Sequence, residues 1–221
     1  GPLISHEHAF DDARPGTNGC RELTEYNGEL FATAFVGGFG NVPQALMKWN
    51  PSTNIYTVLH RFEETEAIPN GRIYVFDNKI YGVTSDGGTS DAGVIYEYDL
   101  ATNVFKIKKN LSELLAISTV QGAGFCFYNN KFYGAAKDVT GTDKAVFFEW
   151  DPLTNTFTKT LAVNGSPSPY AAMAMYDNKL YGAASPTSGG NGSIFEWDLS
   201  TNKYTTKKSF AGGVQGYLPF S

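Results

Sequence analysis

The chain has 221 residues, of which 42% are hydrophobic and 18% are charged, and its formal net charge is -5. A chain of this length and composition can bury the core of a single domain. The acidic balance argues against nucleic acid or an anionic membrane surface as a partner, because proteins that bind them present a basic face. No segment reaches the roughly 18 apolar residues of a membrane-spanning helix, so membrane insertion is not expected.

A short segment precedes the first full repeat. Residues 1–3 resemble the remnant of a cleaved purification tag, and residues 4–221 are assigned to one domain. Residues 4–10 share their pattern with residues 56–62 and 204–210. This pattern predicts an outer strand ahead of the first full repeat.

A motif of about 50 residues then occurs four times. It joins an aromatic residue, a turn pair of Asn, Asp or Gly, and a short apolar strand with a central aromatic residue. The equivalent aromatic residues Phe31, Tyr81, Tyr133 and Tyr181 are separated by 50, 52 and 48 positions. The repeats therefore span about residues 10–61, 62–110, 111–161 and 162–210, and residues 211–221 begin a further one.

The second copy predicts the elements of one repeat. Residues 72–76 form strand a, the Asp77-Asn78 pair makes a tight hairpin turn, and residues 79–84 form strand b. Strand c covers residues 93–98. After a turn at residues 99–103, strand d covers residues 104–109. Helical periodicity is weak throughout, and residues 111–117 are the best candidate for one or two helical turns.

Four-stranded antiparallel repeats of this length predict an all-β fold, a β-propeller. Ile80 and Tyr81 are adjacent apolar residues, as are Phe147 and Phe148, so both faces of each sheet are expected to be buried. Radial packing of blades achieves this, whereas an elongated β-solenoid normally has shorter coils. Both a four-bladed ring and a fragment of a larger ring fit the four complete repeats.

Comparison of the copies separates scaffold from candidate site. The a–b and c–d turns are nearly uniform, while the b–c and d–a segments differ, and both variable sets are expected on one face of the disc. Carboxylates beside aromatic rings suit a sugar, because a ring packs on a pyranose face while polar groups bind its hydroxyls. The candidate ligand-binding residues on this face are Asp11, Asp12, Arg14, Glu63, Glu66, Tyr170 and Tyr217.

No cofactor or metal is expected. His6 and His8 share a strand face but lack a third ligand, and residues 86–91 lack the spacing of a calcium loop. Cys20 and Cys126 lie in different repeats and are expected to be free thiols.

A catalytic site is not predicted either. Glu97, Glu149 and Glu196 recur in strand c, and recurrence in several blades indicates scaffold. A convergent acid pair such as Asp12 and Glu66 would be needed for glycoside hydrolysis.

The repeat resembles the GloVer-type tandem repeats of secreted bacterial proteins and, more distantly, kelch-type blades. The resemblance is carried by Tyr81-Gly82, Gly87-Gly88 and residues 93–99, and again by residues 181–182, 189–190 and 192–198. The third repeat departs at residues 140–144, and the first has Ala32 for Gly and Lys48 for Glu. The resemblance implies export, frequent association with the cell surface and a propeller-like fold, but no activity.

The sequence thus favours a non-catalytic, secreted or cell-surface bacterial module that binds a glycan or a protein through its variable face. A glycan-degrading enzyme, either a hydrolase or a lyase, is the first alternative, and a structural spacer of a longer surface protein is the second. A monomer and a dimer that completes the ring are both compatible with the repeat number.

Overall fold

The structure is a computed structural model that describes residues 15–20, 22–36, 44–63, 66, 69–114, 120–138, 144–164, 173–184 and 192–210. Within these ranges the chain forms β1 Pro15–Cys20, β2 Thr24–Tyr26, β3 Glu29–Val36, β4 Gln44–Asn50, β5 Ile55–Arg61, β6 Pro69–Phe76, β7 Lys79–Thr84, β8 Val94–Asp99, β9 Val104–Asn110, β10 Val120–Tyr128, β11 Lys131–Asp138, β12 Lys144–Asp151, β13 Thr156–Asn164, β14 Met173–Tyr176, β15 Lys179–Ala184, β16 Ser193–Asp198 and β17 Lys203–Ser209. The two helical segments within these ranges are 3₁₀ turns, Thr89–Asp91 and Leu111–Leu114. Neither approaches the length of a membrane-spanning helix.

The strands form four antiparallel sheets, called blades 1 to 4. Blades 2, 3 and 4 are meanders in chain order, β6 to β9, β10 to β13 and β14 to β17. In blade 1, β1 and β2 both pair with β3, which is followed by β4 and β5. β1 and β2 together correspond to strand a of the other blades. In blades 2 and 3 the same stretch is one strand with a register irregularity, between Asn70 and Tyr74 in β6 and between Gly122 and Phe125 in β10. The predicted all-β fold of four-stranded antiparallel units is confirmed.

The hairpin turns between strands a and b are those that the sequence predicts. Their central residues have positive φ, between 48° and 76°, as a type I′ turn requires. The turn residues are Asn27-Gly28, Asp77-Asn78, Asn129-Asn130 and Asp177-Asn178. Asn and Asp accept the left-handed conformation more readily than other non-glycine residues, which explains why they alternate at this place.

The turns between strands c and d are equally uniform. In blade 2, Asp99 Oδ1 accepts the N–H groups of Ala101 and Thr102 at 2.9 and 3.0 Å, and Asn103 adopts a φ of 56°. Tyr98 Oη donates to Asn103 Oδ1. Equivalent bonds recur in the other three blades, around Asn50 and Asn54, Asp151 and Asn155, and Asp198 and Asn202.

A glycine of strand b sits beneath an aromatic ring of strand c in blades 2 to 4. A Cβ at Gly82 would overlap the Tyr96 ring, and a Cβ at Gly134 or Gly182 would overlap the phenylalanine paired with it. In blade 1 both residues of this pair differ: Ala32 replaces the glycine, and Met47 replaces the aromatic residue paired with it. The flexible methionine leaves room for the methyl group that a ring would exclude.

Consecutive blades pack face to face in sequence order. β2 and β3 lie against β6, β6 and β7 lie against β10, and β10 lies against β14. Because strand a of each blade contacts strand a of the next, these strands are the innermost ones. The interblade cores are Phe31 and Leu46 with Ile80, Tyr96 and Tyr98, then Tyr81, Val83 and Ile95 with Phe132, Phe148 and Trp150, and finally Tyr133, Ala135 and Phe147 with Leu180, Phe195 and Trp197. Both faces of the sheets of blades 2 and 3 are thus buried, as the adjacent apolar residues predict.

Candidate binding face

The recurring glutamates of strand c belong to the scaffold. Glu97 is buried, accepts a hydrogen bond from Tyr81 Oη at 3.0 Å and lies 3.7 and 3.3 Å from the ammonium groups of Lys79 and Lys108. Glu196 is bound in the same way by Tyr181, Lys179 and Lys207. Each carboxylate is neutralised within its own blade, so these residues form a repeated structural pair rather than one reactive centre.

Hydrogen bonds keep the third of these carboxylates ionised. Burial raises the pKa of Glu149, but hydrogen bonds from Lys131, Thr158 and Tyr133 lower it by more, so the net pKa lies below the ordinary 4.5. In the opposite direction, burial and the bond to Glu149 raise the pKa of the Tyr133 hydroxyl. A carboxylate stabilised in its charged form is a poor general acid at neutral pH.

Blade 1 carries the same pair with its charges exchanged. Glu29 occupies the lysine position of strand b and Lys48 the glutamate position of strand c, and Lys48 Nζ lies 2.8 Å from Glu29 Oε2. Phe31 stands where blades 2 to 4 have a tyrosine. A tyrosine hydroxyl at this position would face Lys48 instead of a carboxylate. The departure of the first repeat is therefore a compensated set of three changes.

The variable face consists of the b–c and d–a segments, and its best described part belongs to blade 2. The loop at residues 85–93 is held by hydrogen bonds at both ends. Gly87 N–H donates to Asp91 Oδ1 at 2.7 Å, Thr89 N–H donates to Asn110 Oδ1 at 2.7 Å, and Thr84 Oγ1 donates to the Asp86 carbonyl at 2.8 Å. None of these bonds belongs to the set that repeats on the opposite face.

The d–a segment of blade 2 packs against this loop. Leu111 is fully buried, and its N–H donates to the Gly93 carbonyl at 3.0 Å. Glu113 binds back to the end of strand d through Lys109 Nζ at 2.6 Å and Asn110 N–H at 3.1 Å. The predicted helical turn is present as the 3₁₀ segment Leu111–Leu114, and residues 115–117 of that prediction lie outside the described ranges.

A second cluster lies where blade 1 passes to blade 2. The His60 ring stacks on Phe105 with centroids 3.8 Å apart, and its Nε2 lies 2.7 Å from Glu66 Oε2. The same carboxylate accepts the N–H of Glu63 at 3.0 Å, while the Glu63 side chain is exposed. The bend is thus fixed by Glu66, and Glu63 faces solvent beside it.

Two of the seven predicted site residues fall within the described ranges. Glu63 and Glu66 lie together in the d–a segment, as predicted, but Glu66 is half-buried and bonded to His60. The remaining five, Asp11, Asp12, Arg14, Tyr170 and Tyr217, lie outside the described residues, and so do His6, His8 and the strand predicted at residues 4–10. The pairing of His60 with Glu66 could not be predicted from the sequence, because the two residues lie six positions apart across a bend and belong to no periodic pattern.

The described residues contain no group of three or more His, Cys, Asp or Glu side chains that could hold a metal ion. Cys126 is a free, buried thiol, and burial raises its pKa to about 12, so it stays protonated at neutral pH. The side chain of Cys20 lies outside the described part.

The comparisons with known proteins identify a fold. No family model matches the chain, and no curated protein matches it. Among solved structures, the β-propeller domain of the Trilobed protease from Pyrococcus furiosus, reported with an open velcro topology, has a TM-score of 0.57 at 10% identity and is matched over 89% of this chain and 58% of that chain. An oligogalacturonate lyase in complex with manganese has a TM-score of 0.59 at 11% identity, over 84% of this chain and 51% of that chain.

TolB from Acinetobacter baumannii has a TM-score of 0.50 at 14% identity, over 84% of this chain and 42% of that chain. The matched region therefore spans between two fifths and three fifths of these structures. At such identities the likeness establishes the fold alone: the chain is a β-propeller-type array of tandem four-stranded blades.

Proposed function

We propose that the chain is a non-catalytic, exported bacterial binding module that recognises a carbohydrate or a protein through its variable face. The observation that carries the proposal is the difference between the two ends of the blades. The turns of one end repeat the same side-chain hydrogen bonds four times. At the other end a backbone bond into strand c recurs, but the described side-chain bonds of Asp91, Asn110 and Glu66 each belong to a single blade. Varied loops on a rigid scaffold are where binding residues concentrate.

The chemistry of the variable face supports a polyhydroxylated or polar ligand. Glu63 offers an exposed carboxylate next to the ordered His60 and Glu66 pair. The candidate residues Tyr170 and Tyr217 would add aromatic surface for the apolar face of a sugar. The resemblance to GloVer-type repeats supports export and a place at the cell surface.

Screening followed by titration tests this proposal. The purified chain is applied to a glycan array and to fractionated surface proteins, and each hit is titrated by calorimetry. We expect the combined Asp11→Ala, Asp12→Ala and Glu63→Ala variant to lose at least about tenfold in affinity, a loss of about 1.4 kcal/mol.

The matched control is Leu153→Ser, at an exposed position of a c–d turn. It should bind as the unmodified chain does. Affinity that survives the rim substitutions but falls in the control would overturn the proposed site.

A glycan-degrading enzyme is the alternative, and one of the structural neighbours, the oligogalacturonate lyase, has such an activity in its name. Reducing-end release and the ultraviolet absorbance of unsaturated products report hydrolase and lyase activity respectively. Turnover that disappears in Asp12→Asn or Glu66→Gln would contradict a non-catalytic role. A chain with neither ligand nor turnover would instead be the structural spacer.

A further inference from the structure

The three described interfaces between blades are built alike: one face of a blade packs against the opposite face of the next blade. The leading face of a blade points to the next blade, and the trailing face points to the preceding one. The leading faces consist of Phe31 and Leu46 in blade 1, Tyr81, Val83 and Ile95 in blade 2, Tyr133, Ala135 and Phe147 in blade 3, and Tyr181, Ala183 and Ile194 in blade 4. The trailing faces consist of Leu30, Met47 and Trp49, then Ile80, Tyr96 and Tyr98, then Phe132, Phe148 and Trp150, and finally Leu180, Phe195 and Trp197.

The leading face of blade 4 is uncovered. Leu46, Ile95 and Phe147 occupy one position of strand c in blades 1 to 3, and each is 0% exposed. Ile194 occupies that position in blade 4 and is 38% exposed. Tyr181 is only half-buried, whereas Tyr81 at the corresponding position is 2% exposed.

The trailing face of blade 1 is uncovered at Trp49, whereas Met47 on the same face is 3% exposed. Tyr98, Trp150 and Trp197 are between 0% and 2% exposed where they contact the preceding blade. Trp49, their equivalent in blade 1, is half-buried. The chain therefore presents the two halves of one blade interface at its opposite ends.

Polar groups of the interface are also in place at both ends. Asn155 Nδ2 donates to the Lys108 carbonyl of the preceding blade at 3.0 Å, and Asn202 Nδ2 donates to the Thr160 carbonyl at 3.3 Å. Asn54 is the equivalent residue of blade 1, and Trp49 Nε1 already orients its Oδ1 at 3.1 Å. The acceptor equivalent to Lys108 and Thr160 at the open end of blade 4 is the carbonyl of Lys207.

The open leading face carries no uncompensated charge. Glu196 is bound there by Lys179 at 3.4 Å and Lys207 at 3.3 Å, as Glu97 is bound by its lysines at a covered interface. Covering the face with an apolar blade surface would therefore not bury an isolated charge.

We propose that these two surfaces bind each other between two copies of this chain, head to tail, so that two chains close one ring. The chain itself supplies both complementary halves, and two-fold symmetry then makes the two joints identical. The exposure of Ile194 and the partial exposure of Trp49 show that the blades of one copy leave this joint open.

The mass in solution gives the first test. Native mass spectrometry and sedimentation equilibrium should give twice the chain mass of 24.0 kDa for the unmodified chain. Ile194→Lys on one face, or Trp49→Arg on the other, should raise the dissociation constant at least tenfold, while Leu153→Lys, at another exposed apolar residue, leaves it unchanged. Circular dichroism checks that each variant is folded, and Ile194→Ser, a milder change, should act in the same direction.

Mixing the two variants gives the decisive test. In a mixed pair both substitutions fall in the same joint, and the other joint combines two unmodified faces. The mixture of Ile194→Lys and Trp49→Arg chains should therefore form a heterodimer that neither variant forms alone. A monomeric unmodified chain, a dimer indifferent to both substitutions, or a mixture that stays monomeric would each overturn the proposal.

Discussion

The two faces of the blade array follow different rules. On the constant face, an Asp or Asn caps every c–d turn and an Asn with positive φ ends it, with the same hydrogen-bond partners in all four blades. On the variable face, the loop at residues 85–93 depends on Asp91 and Asn110, and the bend after β5 depends on Glu66. The side-chain bonds that recur in all four blades belong to the constant face, and the side-chain bonds described at the other face belong to single blades.

Blade 1 extends this lesson to the sheets themselves. Its changes come in matched sets, Ala32 with Met47 and Glu29 with Lys48, so each change preserves a contact rather than removing it. At these positions the sheet of blade 1 varies in pairs, whereas the side-chain bonds described on the variable face belong to single blades. Four sets of substitutions distinguish the two kinds of position.

Gly134→Ala should cost about 3 kcal/mol of unfolding free energy, because the new methyl group overlaps the Phe148 ring in a packed core. Urea denaturation measures the loss. Adding Phe148→Met copies the Ala32 and Met47 pair of blade 1 and should recover about 1 kcal/mol or more. A double variant no more stable than Gly134→Ala would contradict the matched-pair account.

Glu149→Gln should cost about 2 kcal/mol at pH 7, because it removes the negative partner of Lys131 and Lys159 at a buried position. The pKa of Glu149 is lowered in the folded chain, so its stabilising contribution is fully present above the ordinary pKa of 4.5 and is lost as the pH falls through the lower folded pKa. The difference between variant and unmodified chain should therefore shrink below about pH 4.5. Glu113→Gln, at a more exposed pair, is the control and should cost under about 1 kcal/mol.

Tyr96→Phe should stabilise the chain by about 1 kcal/mol. The Tyr96 hydroxyl is buried without a hydrogen-bond partner, and Phe148 and Phe195 occupy the equivalent positions of blades 3 and 4. Thermal denaturation followed by circular dichroism measures the gain. Tyr98→Phe, which loses the bond to Asn103, should instead lower stability by about 0.5 to 1 kcal/mol.

Glu63→Ala should change the unfolding free energy by under about 0.5 kcal/mol, since its side chain is exposed on the variable face. Any effect of this substitution should appear in ligand affinity, measured by calorimetry. A large loss of stability would mean that the variable face is part of the scaffold.

Much of the fold could be predicted because it depends on local, repeated chemistry. Strand b was predicted at residues 79–84 and is observed as β7 Lys79–Thr84, and the Asp77-Asn78 turn has the expected positive φ values. Strand a was predicted at residues 72–76, but β6 begins at Pro69, because a register irregularity after Asn70 interrupts the alternation that marks a strand.

The candidate site was less predictable because it depends on contacts without a period. The place of Glu63 and Glu66 in a d–a segment followed from comparing the copies. The bond from His60 to Glu66 and the stacking of His60 on Phe105 depend on how the chain bends between two blades. Five of the seven candidates lie outside the described residues, and the role of all seven as ligand contacts stays a prediction.

Hydrogen exchange of the chain with and without a ligand found by the screen shows which face of the blades binds it. Amides in residues 85–93 and 111–114 and in the bend around Glu63 should exchange more slowly when ligand is bound. The constant turns at residues 77–78, 99–103 and 151–155 should be unchanged. Protection confined to those constant turns would contradict the assignment of binding to the variable face.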